Sequence, residues 1–423
     1  MNNGNDKNTD LKSIYEDVML PNYAPADFIP DRAQGSRVWD KNNKEYIDLG
    51  GGIAVNSLGH SNPMLIKALN DQANKLWHTS NYISNEPAIS LAKKLTELTF
   101  AEKVYFSNSG SEANEAAIKM ARKFHHDRGE NRDEIIAFEN SFHGRSILNI
   151  SLGGSEIHKQ GFEPLLSGIK HAKYNDIKSV ENLISNKTVA VIIEPVQGEA
   201  GVHEADKNFL KVLRELCNET GALLIMDEVQ SGVGRMGYLY GYMKYEIDPD
   251  ILTSAKGLGG GIPIGATLTK NDIASSLSTG THGSTFGGNP MACAVSNKII
   301  KIVSDPEFLI EVQKKEELMM NLLLEINSET KTFSDLRSSG LWICCDIKNV
   351  DAFDLLDKCY ENGLILVTAG NKALRFAPAL NISEDDIKSV ENLISNKTAA
   401  VIIEPVQGAV SYTHLTLPTK RIV

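Results

Sequence analysis

The stretch ALLIMDEVQSGVGR (222–235), with PDILTSAKGLGGGIPIG (249–265) behind it, narrows the possible folds more than any other part of the chain. Ala222 to Met226 is a short, unbroken apolar run, the pattern of a parallel strand buried on both faces. It ends on two carboxylates, Asp227 and Glu228. Ile251 to Ala255 reads as a second strand and ends on Lys256. Similar runs recur upstream. VYFSNS (104–109) precedes a helix expected from Glu112 to about Phe124, EIIAFEN spans 134–140, and TVAVIIEPVQGEAG (188–201) precedes the helix NFLKVLRELCNET (208–220). This βαβα order implies a mostly parallel sheet with helices on both faces, an α/β/α layered domain.

The flanks read differently. Residues 22–60 alternate short strand-like runs with turns such as Asp40-Lys41-Asn42-Asn43, a small antiparallel element leading into the glycines Gly50 to Gly52. Helices are expected over Met64 to Leu76 and Pro87 to Leu98, and a long helical pattern runs from Pro290 to about Asn327. Phe333 to Leu380 reads as strands around one helix, Ala352 to Asn362, a small α+β domain. The expected division is an N-terminal segment (1–62) packed with the small domain, a large domain (63–305), the small domain (306–385) and a tail (386–423). Residues 1–12 are rich in Asn and Asp and are expected to fray. The tail is anomalous. DIKSVENLISNKTAAVIIEPVQG (386–408) repeats DIKSVENLISNKTVAVIIEPVQG (176–198) with one change, Val189 against Ala399. Structural repeats diverge and recur at supersecondary spacing, and a single near-copy does neither. The expectation is a joining artefact followed by foreign residues from Val410 onward.

At 423 residues the chain can bury a sizeable core, and 42% hydrophobic with 23% charged residues is ordinary globular composition. A formal net charge of −11 disfavours a nucleic-acid partner. No apolar run reaches membrane-spanning length, and residues 1–14 lack the apolar core of a signal peptide. Cys217, Cys293, Cys344, Cys345 and Cys359 show no CxxC spacing and are expected to be reduced, mostly buried thiols. The chain is therefore expected to be cytoplasmic, with no membrane partner.

Ligands of open α/β sheets collect beyond the carboxyl ends of the strands. An acid ending one strand and a lysine ending another can meet there around pyridoxal 5′-phosphate (PLP), which needs an amine for covalent attachment and an acid on its ring nitrogen. Either residue alone is more often a solvated strand-end charge. Ser109-Gly110-Ser111 sits between a strand and a helix start, where free N–H groups can cradle a phosphate. Phe142 to Arg145 gathers an aromatic ring, an imidazole, a glycine and a guanidinium in one loop, suited to ring stacking and carboxylate binding. THGSTFGGNP (281–290) offers the hydroxyls of Ser284 and Thr285.

Taken together, YAPADFIP, GGIAVNSLGH, SNSGSEANEAAIKMARKF, SFHGR, EPVQGEAGV, LLIMDEVQSGVGRMG, PDILTSAKGLGGGIPIGA, HGSTFGGNPMACAV and LRFAPALNIS resemble class III (fold type I) PLP-dependent aminotransferases, from about Met19 to Glu384. The nearest resemblance is to the acetylornithine and succinyldiaminopimelate enzymes. It implies a homodimer that moves the terminal amine of N2-acetylornithine to 2-oxoglutarate. Succinyldiaminopimelate is a further donor, and succinylornithine, ornithine and 4-aminobutyrate are alternative ones. It implies that Lys256 carries PLP and moves the proton, Asp227 pairs with the ring nitrogen, Gln230 reaches the phenolic oxygen and Phe142 stacks on the ring. Gly110 and Ser111 would bind the phosphate, with Thr285 from the neighbouring subunit. Arg145 would hold the α-carboxylate of the acylated donor, helped by Ser284. Arg375 would hold that of glutamate, with Glu199 masking Arg375 while the donor is bound. A non-catalytic PLP-binding protein is the remote alternative, and no metal is implied. The family's last helix is expected to be replaced by the anomalous tail.

Overall fold

The computed structural model describes residues 7–348 and 350–393. Its centre is a seven-stranded sheet in the order Lys103–Ser107, Gly265–Thr269, Ile251–Ser254, Leu223–Asp227, Thr188–Ile193, Glu134–Phe138, Ile169–Ala172. Only Gly265–Thr269 runs against its neighbours, and the remaining pairings are parallel. Every residue of Thr188–Ile193 and of Leu223–Asp227 is buried, as two-sided apolar strands require. Asp227 pairs in register with Thr253, so the Asp227 and Lys256 strand ends lie side by side at one edge of the sheet.

The second lobe packs an antiparallel sheet in the order Phe333–Ser338, Ile343–Ile347, Ala373–Phe376, Val367–Ala369 against the helices Pro306–Thr330 and Ala352–Glu361. N-terminal strands Pro30–Gln34, Arg37–Asp40 and Glu45–Asp48 join it through the parallel pairing of Glu45–Asp48 with Leu364–Ile365. Ile47 and Leu49 belong to this second core. Among the described residues no helix is long and apolar enough to cross a membrane. The cysteines Cys217, Cys293, Cys344, Cys345 and Cys359 are all free and buried.

Several boundaries differ from the sequence reading. The helical pattern from Pro290 to Asn327 divides into Pro290–Val303 and Pro306–Thr330, because Pro306 cannot donate into a preceding turn and instead opens the second helix behind the Asp305 cap. Residues 7–12, expected to fray, begin a helix, Lys7–Val18. Asn8 ties it down, donating to Asp40 Oδ2 at 3.0 Å and accepting from Ile29 N at 3.0 Å. The first residues of the expected tail, 386–393, belong to a helix. Glu384–Leu393 is a helix, with Ile387 and Val390 fully buried in the second core and Asp386 bound to Arg37 at 2.8 Å. Residues 1–6 and the remaining expected tail, 394–423, lie outside the described residues. Ending the chain at Ile382 is therefore expected to destabilise it. Two buried aliphatic side chains are worth roughly 1.5–3 kcal/mol each. Thermal unfolding of chains ending at 382 and at 395 measures this, and an equal Tm would mean that the helix contributes nothing.

Candidate active site

Beyond the strand ends lies a cavity of about 440 Å³, lined among others by Gly110, Ser111, Phe142, Arg145, Asp227, Gln230 and Lys256. The fold thus gathers most of the residues singled out in the sequence. Gly110 and Ser111 open the helix Gly110–His126, whose Ser109 cap accepts from Glu112 N at 3.2 Å. The earliest N–H groups of a helix have no acceptor within it, so this end suits an anion. The Phe142–Arg145 loop crosses that helix start through Gly144, at φ +124°, where a Cβ would lie 1.9 Å from Ser111 Oγ. Only glycine lets the loop pass there.

Asp227 and Glu228 are adjacent in sequence and serve different purposes. Asp227 faces the cavity, and three donors converge on it. Asn114 Nδ2 and His143 Nδ1 each stand 2.7 Å from Oδ2, and Val229 N donates to Oδ1 at 3.0 Å. A carboxylate only accepts, so His143 Nδ1 is the donor. Asn114 is itself oriented by Thr253, which donates to its Oδ1 at 2.7 Å. Glu228 is buried away from the cavity, accepting from Gly241 N, from Tyr242 N at 2.7 Å and from Ser231 Oγ at 3.3 Å. Burial pushes its carboxyl up to about 7. It anchors the chain between 228 and 242 and is no part of the site.

Lys256 follows the strand Ile251–Ser254 with φ +42°, a left-handed backbone that lysine rarely adopts. Such strain concentrates at functional sites. Burial pushes its ammonium down to about 8, against the pull of Glu199. A substantial neutral, nucleophilic fraction is therefore present near that pH. Glu199 and Arg375 form a two-pronged ion pair, with Nη1 and Nη2 of Arg375 at 3.1 and 3.2 Å from Oε1 and Oε2 of Glu199. Arg375 also donates to Gly198 O at 2.9 Å and to Thr368 O at 3.1 Å. Burial pushes the Glu199 carboxyl up, but Arg375 and Lys256 outweigh it and leave the group below the usual carboxylate range. Arg145 lies across the cavity wall, 5.3 Å above the Phe142 ring.

Ser284 and Thr285 stand apart from this group. Ser284 Oγ accepts from Asn108 Nδ2, on the cavity wall, at 3.1 Å. Thr285 is exposed and does not line its own chain's cavity. Sequence reasoning missed Asn114, Thr253 and Glu194. Asn114 carries a visible signal, a polar residue within the Ala-rich buried face Ala113, Ala116, Ala117. Glu194 lines the cavity and accepts from Phe142 N at 3.0 Å, and burial together with nearby Asp227 pushes its carboxyl well up.

The sequence profile of the class-III aminotransferases matches residues 18–395. The chain belongs to this family. A succinylornithine transaminase from Salmonella enteritidis PT4 (strain P125109) is 52% identical over 377 residues, covering 88% of this chain and 92% of the relative. The N-acetylornithine aminotransferase of Stenotrophomonas maltophilia K279a superposes with a TM-score of 0.80 at 35% identity, covering 92% of this chain and 99% of that one. An ornithine aminotransferase from Toxoplasma gondii, with PLP in partial occupancy at its active site, superposes with a TM-score of 0.89 at 31% identity, covering 94% and 95%. The class-III aminotransferase has the mixed α/β architecture of fold type I PLP-transferases, and its cofactor is PLP. The cavity fits that cofactor chemically: an acceptor-only carboxylate fixed by three donors, an amine at the neighbouring strand end, an aromatic wall and a helix start.

Proposed function

We propose that this aminotransferase moves the terminal amine of an N2-acylated ornithine, N2-acetylornithine in the first instance, to 2-oxoglutarate. Bound PLP supplies an electron-accepting ring and a carbonyl that exchanges the amine. Lys256 carries the cofactor and moves the proton at the reacting carbon. Asp227, held by His143 and Asn114, keeps the ring nitrogen protonated. Gln230 meets the phenolic oxygen, Phe142 covers the ring, and Gly110 and Ser111 take the phosphate. Arg145, with Ser284, holds the donor's α-carboxylate.

The observation that carries this reading is the Arg375–Glu199 pair. Glutamate brings a second carboxylate to a place where the ω-amine donor brings only carbon chain. One site must therefore expose a cation to one substrate and mask it from the other. A partly exposed glutamate on a buried arginine can do both. Glu199→Ala is expected to raise the half-reaction rate with glutamate relative to acylornithine by about tenfold or more, since an unmasked buried charge is worth several kcal/mol. Single-turnover spectra with each substrate measure the ratio, and an unchanged ratio would place the gate elsewhere.

The 52% identity to a succinylornithine transaminase favours a second reading, with succinylornithine as donor. A panel of acetylated, succinylated and free diamino acids with 2-oxoglutarate decides between them, and activity confined to free ornithine or 4-aminobutyrate would overturn both. The enzyme is proposed to be a cytoplasmic homodimer. Trp77, Tyr82, Ile83 and Phe286 are 66%, 100%, 63% and 60% exposed. Asn81 ties their two loops together through Ser284 O and Gly287 O at 2.9 and 3.0 Å. A second copy covering this surface would bury it and bring Thr285 toward the partner's phosphate site.

A further inference from the structure

The stretch SGVGRMG (231–237) contributes Ser231 to the cavity wall, and its Arg235 has no part in the chemistry above. Arg235 is 2% exposed. Its Nη1 donates to two carbonyls of the second lobe, Leu341 O at 2.7 Å and Pro378 O at 2.8 Å. Among the described residues Nη2 is buried without a partner, and no acid stands near enough to offset the burial of the group. An unpaired buried guanidinium is costly, and a core built for stability alone is better served by an apolar side chain.

Its surroundings form a joint between the two lobes. Gly340, at φ +65°, brings its segment so close that a Cβ would lie 2.2 Å from Arg235 O. Gln313, on the helix Pro306–Thr330, donates to Gly237 O at 3.1 Å. The two carbonyls that Arg235 holds belong to the segments that build the Arg375 corner. Pro378 comes three residues after Arg375. Leu341 precedes Trp342, whose ring packs on Gly198, and the Gly198 carbonyl accepts from Arg375 at 2.9 Å. A planar guanidinium presents its donors in a fixed fork, so it holds two carbonyls at a set spacing, whereas a lysine ammonium on a flexible stem does not.

We propose that Arg235 is a positioning residue for the acceptor half-reaction: it pins the Leu341 and Pro378 carbonyls to the loop that follows Asp227, and so sets Arg375 at the distance from Lys256 that a dicarboxylate requires. This rests on the reading of Arg375 as the anchor for glutamate and 2-oxoglutarate. Arg145 sits on the large lobe, so the anchor for the acylornithine carboxylate does not depend on the joint.

The test uses the PLP-loaded enzyme with Arg235→Lys and Arg235→Met, each half-reaction followed in single turnovers below the Tm of every variant. The expected result is apparent Kd for glutamate and 2-oxoglutarate raised on the order of tenfold or more, since small misplacements of a binding group are costly. The acylornithine half-reaction should stay within about threefold, inside the range of a minor contact change. If Arg235→Met does not fold, Arg235→Lys decides. Equal losses in both half-reactions, or no change in either, would overturn the proposal. Arg375→Lys is measured alongside. If it leaves glutamate affinity unchanged, the acceptor reading itself fails; if it weakens glutamate while both Arg235 variants do not, only the role of Arg235 falls.

Discussion

Lys256→Ala is expected to abolish turnover, a loss on the order of 10⁴-fold, while PLP still binds without a covalent link. The amine is the group that attaches the cofactor and the base that moves the proton, and among the described residues no other lysine lines the cavity. The loss would not reflect misfolding. Alanine carries the same Cβ as lysine, so the left-handed backbone at φ +42° costs the two residues alike. The ring wall Phe142, the acid Asp227 and the helix start at Gly110 are untouched, and they account for the retained binding. Turnover near the wild-type rate would show that the amine chemistry runs elsewhere.

Asp227→Asn should preserve the fold and lose most of the rate. The geometry around this side chain accepts no amide without loss. Two donors meet at Oδ2 and one at Oδ1, so an N–H₂ placed on either side turns donor against donor. The amide also cannot hold a proton on a facing ring nitrogen. Truncating a buried, hydrogen-bonded charge pair costs roughly 2–5 kcal/mol, about 30- to several-thousand-fold in rate. Steady-state kinetics at saturating donor and acceptor measure the effect, and a loss of only a few-fold would remove Asp227 from the role of ring partner. Asn114→Ala offers a graded comparison, because it removes one of the donors that hold Asp227 and leaves the carboxylate in place.

Much of the site was legible because strand ends are legible. An apolar run that stops at a charged residue identifies both the strand and the residue that leaves it, so the sequence alone places Asp227 and Lys256 at strand ends that can share one sheet edge. The small residues Ser109 to Ser111 before a helix and the glycine at 144 were visible for a similar reason, being local features of the backbone, although the helix opens at Gly110 and not at Glu112. Long-range relations were not. Nothing in the spacing of Asn114 and His143 shows that they converge on Asp227, or that Thr253 stands behind Asn114, because residues up to 139 apart meet only once the sheet is assembled. Glu228 looked equivalent to Asp227, yet side-chain alternation at the strand end sends it into the protein interior.

The duplicated segment separates local from tertiary causes within one molecule. The residues DIKSVENL occur at 176–183 and again at 386–393. Their sequence by itself determined that both copies enter a helix and place an aliphatic residue every third position, Ile177 and Val180 in one, Ile387 and Val390 in the other. Tertiary structure decided the rest. In the first copy Asp176 is the cap, bound by Ser179 N at 3.2 Å, and the helix Ile177–Glu181 ends before the strand Thr188–Ile193 that must enter the central sheet. In the second copy Ser383 accepts from Asp386 N at 3.0 Å, the aspartate moves inside the helix to bind Arg37, and the helix Glu384–Leu393 continues because the second core lies beneath it. The physical reason is that a capping residue and an amphipathic stripe make a short helix possible, whereas its length and register follow from the apolar surface available to bury it.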